Sequence, residues 1–162
     1  MLKKLELYGI RGPSNLLLRS YLSNRKQYVQ FNGNTSNLES INYGVPQGSI
    51  LGPLLFLIYV NDMPNVCRKL LFMLFADDTN ILYSNSDIMD LMNTIDSELA
   101  NLSDWFKANR LSLNIKKTNF IMFGYKRMPA QYNSQDFNFD IRIDNEGIFR
   151  VDYTKFLGVI ID

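Results

Sequence analysis

Histidine is absent from this chain of 162 residues, and its absence excludes several kinds of catalytic site. Ser–His and Cys–His nucleophiles, imidazole-based zinc sites and acid–base chemistry by histidine all need a side chain that is not there. Cysteine is nearly absent too: Cys67 stands alone, so no intrachain disulfide can form and a reducing, intracellular location is favoured. We expect Cys67 to have no catalytic role.

A hydrophobic stretch long enough to cross a bilayer is also lacking. The longest apolar segment, about residues 50–60, is broken by Gly52-Pro53 and is shorter than the roughly 20 residues that a span needs. The N-terminus, MLKKLELYG, has no apolar core of the kind found in signal peptides. A net charge of +1 provides no overall basic field, so a nucleic acid would have to be held by local patches.

The residues that are present predict one globular domain over residues 1–162, with 46% hydrophobic and 20% charged residues. Apolar spacing predicts helices at residues 2–8, 13–22, 54–60 and 88–106, of which the third is apolar on every face and should be deeply buried. Strands are predicted at residues 28–31 and 38–43 around a turn at Asn32-Gly33-Asn34, and later at 111–113, 119–123, 137–143 and 153–161. We infer an α+β fold with an antiparallel sheet.

Two adjacent carboxylates, Asp77 and Asp78, lie between apolar segments in LLFMLFADDTNILYS. The flanking segments are apolar enough to predict strands buried on both faces, with the aspartates at the tip of a hairpin. The simplest interpretation is a pair of solvated aspartates in a β-turn. Two neighbouring carboxylates repel, however, unless one is protonated or a cation lies between them. Mg²⁺ is the cation that such a pair suits best, and two ions can assist phosphoryl transfer.

A glycine-rich loop and a lysine pair are candidate partners of these carboxylates. In GVPQGSILGP the glycines let a ligand approach the backbone and Gln47 offers an amide, although the loop could equally have a packing role before a helix. Lys116 and Lys117 could meet phosphate or simply form a solvated face. Basic and aromatic residues that could follow a nucleic-acid backbone also occur in the first third of the chain, namely Arg19, Tyr21, Arg25, Lys26 and Tyr28.

Taken together, these motifs closely resemble the reverse transcriptase domain of non-LTR, LINE/jockey-like retrotransposons. The resemblance is carried by GVPQGSILGPLLF, FADDTNIL, ANRLSLNIKKTNFIMF and KFLGVIID, in that order. It extends upstream through YGIRGPSNLLLRSYLSNRKQYVQFNG and therefore covers essentially the whole chain. The implied fold is a polymerase palm, an antiparallel sheet packed on helices.

The resemblance also implies a role for each motif. Asp77 and the more peripheral Asp78 would bind two catalytic Mg²⁺ ions, for which Mn²⁺ could substitute. The loop Pro46-Gln47-Gly48 would lie under the incoming nucleotide, and Phe156-Leu157-Gly158 would grip the primer end. Lys117, with Lys116 as its rival, would lie near the leaving pyrophosphate. The implied reaction is RNA-templated DNA synthesis in the nucleus or cytoplasm, with an RNA template, a DNA primer and deoxynucleotides as partners.

Some parts of the family pattern have no counterpart here. The family carries a further catalytic aspartate on a strand that precedes the segment matched by Met1, and neither Asp62 nor Asp104 matches that motif. Fingers and thumb are missing as well. We therefore expect a partial palm that is inactive by itself and that self-associates through an exposed sheet edge.

Two further interpretations start from the same residues. The first is a catalytically dead remnant that binds RNA or another protein. The second is a receiver-type signalling domain, which also holds Mg²⁺ with adjacent carboxylates. A receiver needs strands and helices that alternate regularly around a parallel sheet, and the hairpin-rich pattern argues against it.

Overall fold

The computed structural model describes residues 1–46, 48–124 and 139–162. The α-helices of the described residues are α1 Leu2–Leu7, α2 Pro13–Leu22, α3 Leu51–Val60 and α4 Ile88–Ala108, with 3₁₀ turns at Met63–Val66 and Ile115–Lys117. The chain divides into two compact units, the first comprising Met1–Asp62 with Phe75–Asp78 and the second Met63–Leu74 with Thr79–Asp162. Among the described helices, none has both the length and the apolar character that a membrane span requires.

The described strands pair two by two. They are β1 Arg25–Gln27, β2 Gln30–Phe31, β3 Asn34–Thr35, β4 Glu39–Ile41, β5 Leu71–Phe75, β6 Asp78–Leu82, β7 Asn119–Phe120, β8 Arg142–Ile143, β9 Glu146–Gly147, β10 Phe149–Arg150, β11 Thr154–Phe156 and β12 Val159–Ile161. The pairs are β1 with β4, β2 with β3, β5 with β6, β7 with β10, β8 with β9, and β11 with β12. The α+β class is confirmed, but no sheet among the described strands has more than two members.

The first unit is centred on the contact of α1 with α3. Leu5 and Leu55 are almost fully buried, and Val60 is buried at the end of α3. Lys4 secures this end, because its Nζ donates to the Tyr59 carbonyl at 2.7 Å and forms an ion pair with Asp62 at 2.7 Å. An ammonium group at a helix C-terminus also satisfies the negative end of the helix dipole. The short helix α1 is thereby fixed to α3.

The deep burial predicted for helix 54–60 is only partly realised. Gly52, Leu55 and Val60 are buried, but Leu54 and Leu57 are 53% and 46% exposed. A helix that is apolar all round can be buried only where neighbours cover every face. An apolar sequence permits burial of every face of a helix. How many faces are actually buried depends on how many other elements pack against the helix, which the sequence does not show.

Residues 25–41 form a two-stranded ribbon that we call the N-terminal ribbon. Arg25–Gln27 pair with Glu39–Ile41 and Gln30–Phe31 with Asn34–Thr35, both antiparallel. The turn is Asn32-Gly33, with φ values of 48° and 78°, as the left-handed residues of a type I′ hairpin require. The hairpin predicted around this turn is confirmed.

The second unit is built around α4, which the apolar spacing predicts correctly. Asp87 caps it, because its side chain accepts a hydrogen bond from the Asp90 amide at 2.9 Å. Leu99, Leu102 and Trp105 are buried along its apolar side. The helix ends near Asn109, where the sequence pattern also weakens.

Strands towards the C-terminus are shorter than predicted. Residues 111–113 are irregular, and the segment predicted at 119–123 is a strand only at Asn119–Phe120, paired in parallel with Phe149–Arg150. In the segment predicted at 137–143, the first two residues lie outside the described residues. The alternation beyond them is confirmed, since Phe139, Ile141 and Ile143 are buried and the residues between them are exposed. Residues 153–161 form a hairpin rather than a single strand.

Candidate active site

The hairpin of β5 and β6 positions the two adjacent carboxylates. Strand β5 ends at Phe75 and β6 begins at Asp78, so only Ala76 and Asp77 connect them. A two-residue connection can join only antiparallel strands. Ala76 has a φ of 51°, a left-handed conformation that reverses the chain within this short turn. Asp77 therefore lies in the turn and Asp78 opens the next strand, so the predicted hairpin with the aspartates at its tip is present.

Both carboxylates are exposed. Within the described part of the chain, neither takes part in a hydrogen bond or an ion pair. The strands beside them are less covered than predicted: no β5 residue is buried, and Leu71, Met73 and Phe75 expose one face of the strand. The prediction that these strands are buried on both faces is therefore wrong for β5. A two-stranded ribbon can bury both faces only when further elements cover it.

The donor chemistry of the pair fits a magnesium ion. Mg²⁺ prefers oxygen ligands and is usually held by one or two carboxylates, with substrate phosphates and water completing its shell. Asp77 and Asp78 supply two such carboxylates with oxygens not engaged by described neighbours. No group of three or more metal-binding side chains occurs among the described residues, so in this part of the chain the protein would supply the two carboxylates alone.

The glycine-rich loop leads into α3. Gly48 has a φ of 76°, and a Cβ there would meet no heavy atom within 4 Å, so glycine serves the backbone conformation. The Ser49 amide donates to the Pro46 carbonyl at 3.3 Å, and the Ser49 hydroxyl accepts from the Gly52 amide at 3.0 Å. The loop is thus organised by its own hydrogen bonds. Gln47, the predicted amide contact, lies outside the described residues.

The two lysines follow each other in the 3₁₀ turn Ile115–Lys117, and both are exposed. Their surroundings differ. Lys116 and Glu146 are among the residues that line a cavity of about 440 Å³, and Lys117 is not. The Lys117 amide donates to the Asn114 carbonyl at 3.0 Å, which holds the turn closed. In the described part of the chain neither ammonium group has an ion-pair partner.

The predicted primer-grip residues form the turn of the β11–β12 hairpin. Phe156 pairs with Val159, and Leu157-Gly158 between them have φ values of 49° and 89°. A left-handed leucine costs roughly 1–2 kcal/mol of conformational energy. The Leu157 side chain is exposed, so its burial does not offset this conformational cost.

Sequence reasoning missed a buried polar contact around Cys67. Glu98 lies buried on α4, and its Oε2 accepts a hydrogen bond from the Arg68 amide at 2.8 Å. The Cys67 thiol donates to the Glu98 carbonyl at 3.4 Å. Burial, followed by the nearby Glu98 carboxylate, raises the pKa of Cys67 to about 11. A thiol with this pKa is not a nucleophile at neutral pH. The sequence signal that could have predicted this contact was a glutamate beside Leu99 in the apolar stripe of α4.

A second missed cluster fixes the β8–β9 hairpin to α4. Asp144 lies in the hairpin turn and accepts hydrogen bonds from the Ser103 hydroxyl and the Lys107 ammonium group. Those two hydrogen bonds, Lys107 first, lower the pKa of Asp144, and the same contact raises the pKa of Lys107. The signal for this cluster lay in the Asp144-Asn145 turn and in the spacing of Ser103 and Lys107 by one helical turn.

The predicted site residues are distributed over both units. Asp77, Asp78, Pro46 and Gly48 belong to the first unit. Lys117 and the turn at residues 156–158 belong to the second.

Relatives of the chain are encoded by Drosophila mobile elements. It is 31% identical over 150 residues to the probable RNA-directed DNA polymerase from transposon X-element of Drosophila melanogaster, covering 90% of this chain and 16% of that protein. It is 28% identical over 155 residues to the RNA-directed DNA polymerase from mobile element jockey of Drosophila funebris, covering 90% of this chain and 16% of that protein. The chain thus spans about a sixth of the length of these relatives.

No solved structure matches the chain. The family model described as reverse transcriptase (RNA-dependent DNA polymerase) matches residues 2–161. This match contains the aspartate hairpin, the glycine-rich loop, the lysine turn and the C-terminal hairpin. The chain belongs to the reverse transcriptase family.

Proposed function

We propose that this chain is the palm region of an RNA-directed DNA polymerase of a non-LTR retrotransposon, and that Asp77 and Asp78 hold its catalytic Mg²⁺. The observation that carries this proposal is the β5–β6 hairpin. It presents two exposed carboxylates, without described partners, at the tip of a two-residue turn. Solvated turn aspartates would be equally exposed, and the match to the reverse transcriptase family favours the metal-binding role.

In the proposed reaction a primer 3′-hydroxyl attacks the α-phosphate of a deoxynucleotide, and pyrophosphate leaves. When bound by the two aspartates, Mg²⁺ would stabilise charge on the attacking and leaving oxygens. Asp77, in the turn, is the principal ligand in this proposal, and Asp78 assists it from the start of β6.

The remaining motifs would position the substrates. The loop at Pro46-Gln47-Gly48 would support the incoming nucleotide and its template partner. Lys117, or its neighbour Lys116, would place a cation near the pyrophosphate. The strained turn at Leu157-Gly158, with Phe156, would hold the primer end. These roles follow from the family resemblance. The residues among them that are exposed are Gly48, Lys116, Lys117, Leu157 and Gly158.

Activity in this proposal requires more than the two carboxylates. The described residues contain no third carboxylate grouped with the pair, and the relatives are about six times as long as the segment they share with this chain. We therefore expect the isolated chain to extend primers weakly or not at all.

A chimera tests the proposed function directly. The aligned segment of the Drosophila funebris jockey polymerase would be replaced by the corresponding residues of this chain, and extension of a DNA primer on an RNA template would be measured with Mg²⁺. The expected result is RNA-templated extension. A chimera that binds template–primer as tightly as the parent enzyme without extending it would contradict the proposal and favour a catalytically dead, nucleic-acid-binding domain.

A further inference from the structure

The aspartate hairpin is a narrow element with little cover. No residue of β5 or β6 is buried, and the two strands pair with no third strand among the described residues. A two-stranded ribbon is marginally stable by itself, and its register is only weakly specified where neither face is buried. A slip of one residue in the pairing would move Asp78 to the other face of the ribbon. The contacts at the open end of this hairpin therefore matter for the geometry of its carboxylates.

The segment that enters β5 is fixed to α4. Met63, Cys67 and Leu70 are buried, and the 3₁₀ turn that begins this segment lies against α4. Glu98 supplies the polar contacts: its Oε2 accepts a hydrogen bond from the Arg68 amide at 2.8 Å, and its carbonyl accepts one from the Cys67 thiol at 3.4 Å. Strand β5 begins three residues after Arg68. The backbone is thus anchored shortly before the strand starts.

The segment that leaves β6 is held by the same helix. Tyr83 follows directly on β6 and is partly exposed. Hydrogen bonding with Thr94, and then with Asn85, lowers the pKa of the Tyr83 hydroxyl. Thr94 is buried on α4, and the Asn85 amide donates to the Tyr83 hydroxyl at 3.4 Å. The chain is therefore anchored again immediately after the second strand ends.

The two anchoring side chains lie on one face of α4. Thr94 and Glu98 are four residues apart, so they are neighbours on the helix surface. Both are buried, and a buried carboxylate is costly unless hydrogen bonds compensate its lost hydration. A leucine at either position would extend the apolar stripe of the helix without that cost. The polar pair is better explained by the two segments it holds, which belong with α4 to the second unit.

We propose that Glu98 and Thr94 are positioning residues for the aspartate hairpin. By holding both strands at their open end, they fix the register of β5 on β6 and with it the relative placement of the Asp77 and Asp78 carboxylates. The inference rests on the proposed function only for its effect on catalysis. The anchoring itself is a property of the fold and requires no metal ion.

Hydrogen–deuterium exchange of the complete 162-residue chain in EDTA tests the anchoring. Glu98→Ala should speed exchange of the amides in residues 71–82 by about tenfold or more, because the Arg68 amide loses its acceptor and the hairpin opens more readily. Glu98→Gln keeps an oxygen acceptor and should exchange like the wild type. The β11–β12 hairpin is the internal control: it is also two-stranded, and among the described residues it shares no hydrogen bond with Glu98.

Three further variants on α4 separate positioning from general stability. Leu99→Ala removes a buried apolar side chain next to Glu98, so exchange should rise in both hairpins together. Asp96→Ala removes an exposed carboxylate and should exchange like the wild type. Thr94→Val removes only a hydroxyl and should speed exchange in residues 79–82 more than in β11–β12. It keeps the test informative if Glu98→Ala misfolds, which circular dichroism would reveal.

The polymerase chimera measures the consequence for catalysis. Glu98→Ala should raise the Mg²⁺ concentration that gives half-maximal primer extension by about threefold or more, with the KM for template–primer unchanged. Groups that bond directly to metal ligands contribute about 10- to 100-fold, and Glu98 acts on the aspartates only through the strands. Leu99→Ala should leave this Mg²⁺ concentration unchanged, because lost stability alone lowers the amount of active enzyme and not its affinity for the ion.

Three results would overturn the proposal. The first is an equal rise in exchange in both hairpins of Glu98→Ala, which would show a general loss of stability. The second is wild-type exchange of residues 71–82 in both Glu98→Ala and Thr94→Val. The third is an unchanged Mg²⁺ requirement of Glu98→Ala in an active chimera. A chimera that extends no primer would instead count against the proposed function, and exchange in EDTA would still decide whether the hairpin is anchored.

Discussion

Asp77 and Asp78 are neighbours in sequence but not equivalent in structure. Asp77 occupies the turn itself, and Asp78 is already part of β6. In the polymerase chimera we expect Asp77→Asn to reduce primer extension by more than about 100-fold, because even groups that only orient metal ligands contribute 10- to 100-fold. Asp78→Asn should have a smaller effect. Extension rates with saturating template–primer would measure both, and equal losses would contradict the assignment of Asp77 as principal ligand.

Cys67 should be unreactive in the folded chain. Its pKa is raised from 9.0 to about 11, so its thiolate population near pH 8 is about a hundredth of that of an ordinary cysteine. Iodoacetamide should therefore modify the native chain at least about 100-fold more slowly than the chain in urea. Glu98→Gln removes a carboxylate that raises this pKa, so labelling should become faster. Rapid labelling of the native wild type would show that the thiol is accessible and ionised.

The ionisation of Asp144 should make the stability of the fold depend on pH under acidic conditions. Its pKa is lowered below 3.8 by hydrogen bonds from Lys107 and Ser103, so the folded state binds its proton more weakly than the unfolded state. The stabilisation is therefore present above pH 3.8 and lost as pH falls through the lower pKa of the folded state. Urea midpoints of wild type and Asp144→Asn should differ fully above pH 3.8, for example near pH 6, and converge only as pH falls below 3.8 through the lower pKa of the folded state. A difference that does not change with pH would exclude the carboxylate as its source.

At the scale of elements, the N-terminus of α4 offers a clear test. Both Ser86 and Asp87 suit an N-cap by sequence, and the structure selects Asp87 through its bond from the Asp90 amide. Asp87→Ala should destabilise the chain by about 0.5–2 kcal/mol, because it leaves a backbone donor without its acceptor. Ser86→Ala is the matched control and should change the free energy of unfolding little. Urea denaturation of both variants measures the difference, and the reverse order would move the cap to Ser86.

The elements also show what sequence can predict. The length of α4 follows from apolar spacing, and the ribbon turn follows from Asn32-Gly33, because helical periodicity and left-handed turn residues are local properties. Burial is not local. Leu57 in α3 and Phe75 in β5 were predicted to be buried and are exposed, since composition does not reveal how many neighbours an element has.

For the candidate site, the sequence predicts much about which residue types occur in which motif, and little about the neighbours that each residue contacts. The aspartate turn occurs where its motif places it, whereas residues 153–161 form a hairpin where a single strand was predicted. The buried Glu98 was not anticipated, and neither was the anchor of Asp144 on α4, because each depends on residues 30 or more positions apart along the chain. Long-range contacts of this kind are set by packing and leave only a weak trace in a single sequence.

At the scale of the whole molecule, unpaired strand edges should make the chain self-associate. The described strands form only two-stranded sheets, and β5 exposes Leu71 and Met73 on one face. Such edges and apolar faces promote pairing between copies. Light scattering after size-exclusion chromatography should show a mass that rises with concentration. A monomer at high concentration would contradict this expectation.

A charge on the exposed face of β5 should reverse this association. Leu71→Lys/Met73→Lys is expected to shift the population towards monomer. Leu7→Lys, at an exposed leucine on α1, is the control and should have a smaller effect. The comparison separates association through β5 from a general effect of added charge.

Trp105 has a practical consequence for experiments on the intact chain. It is the single tryptophan, lies buried in the second unit, and contacts Phe106 edge-to-face with ring centroids 5.4 Å apart. Emission excited at the red edge of its absorption therefore reports on the second unit alone. Following this emission and the helical circular dichroism signal through the same denaturation would reveal whether the two units melt together or one after the other. The chain carries its own optical reporter for that question.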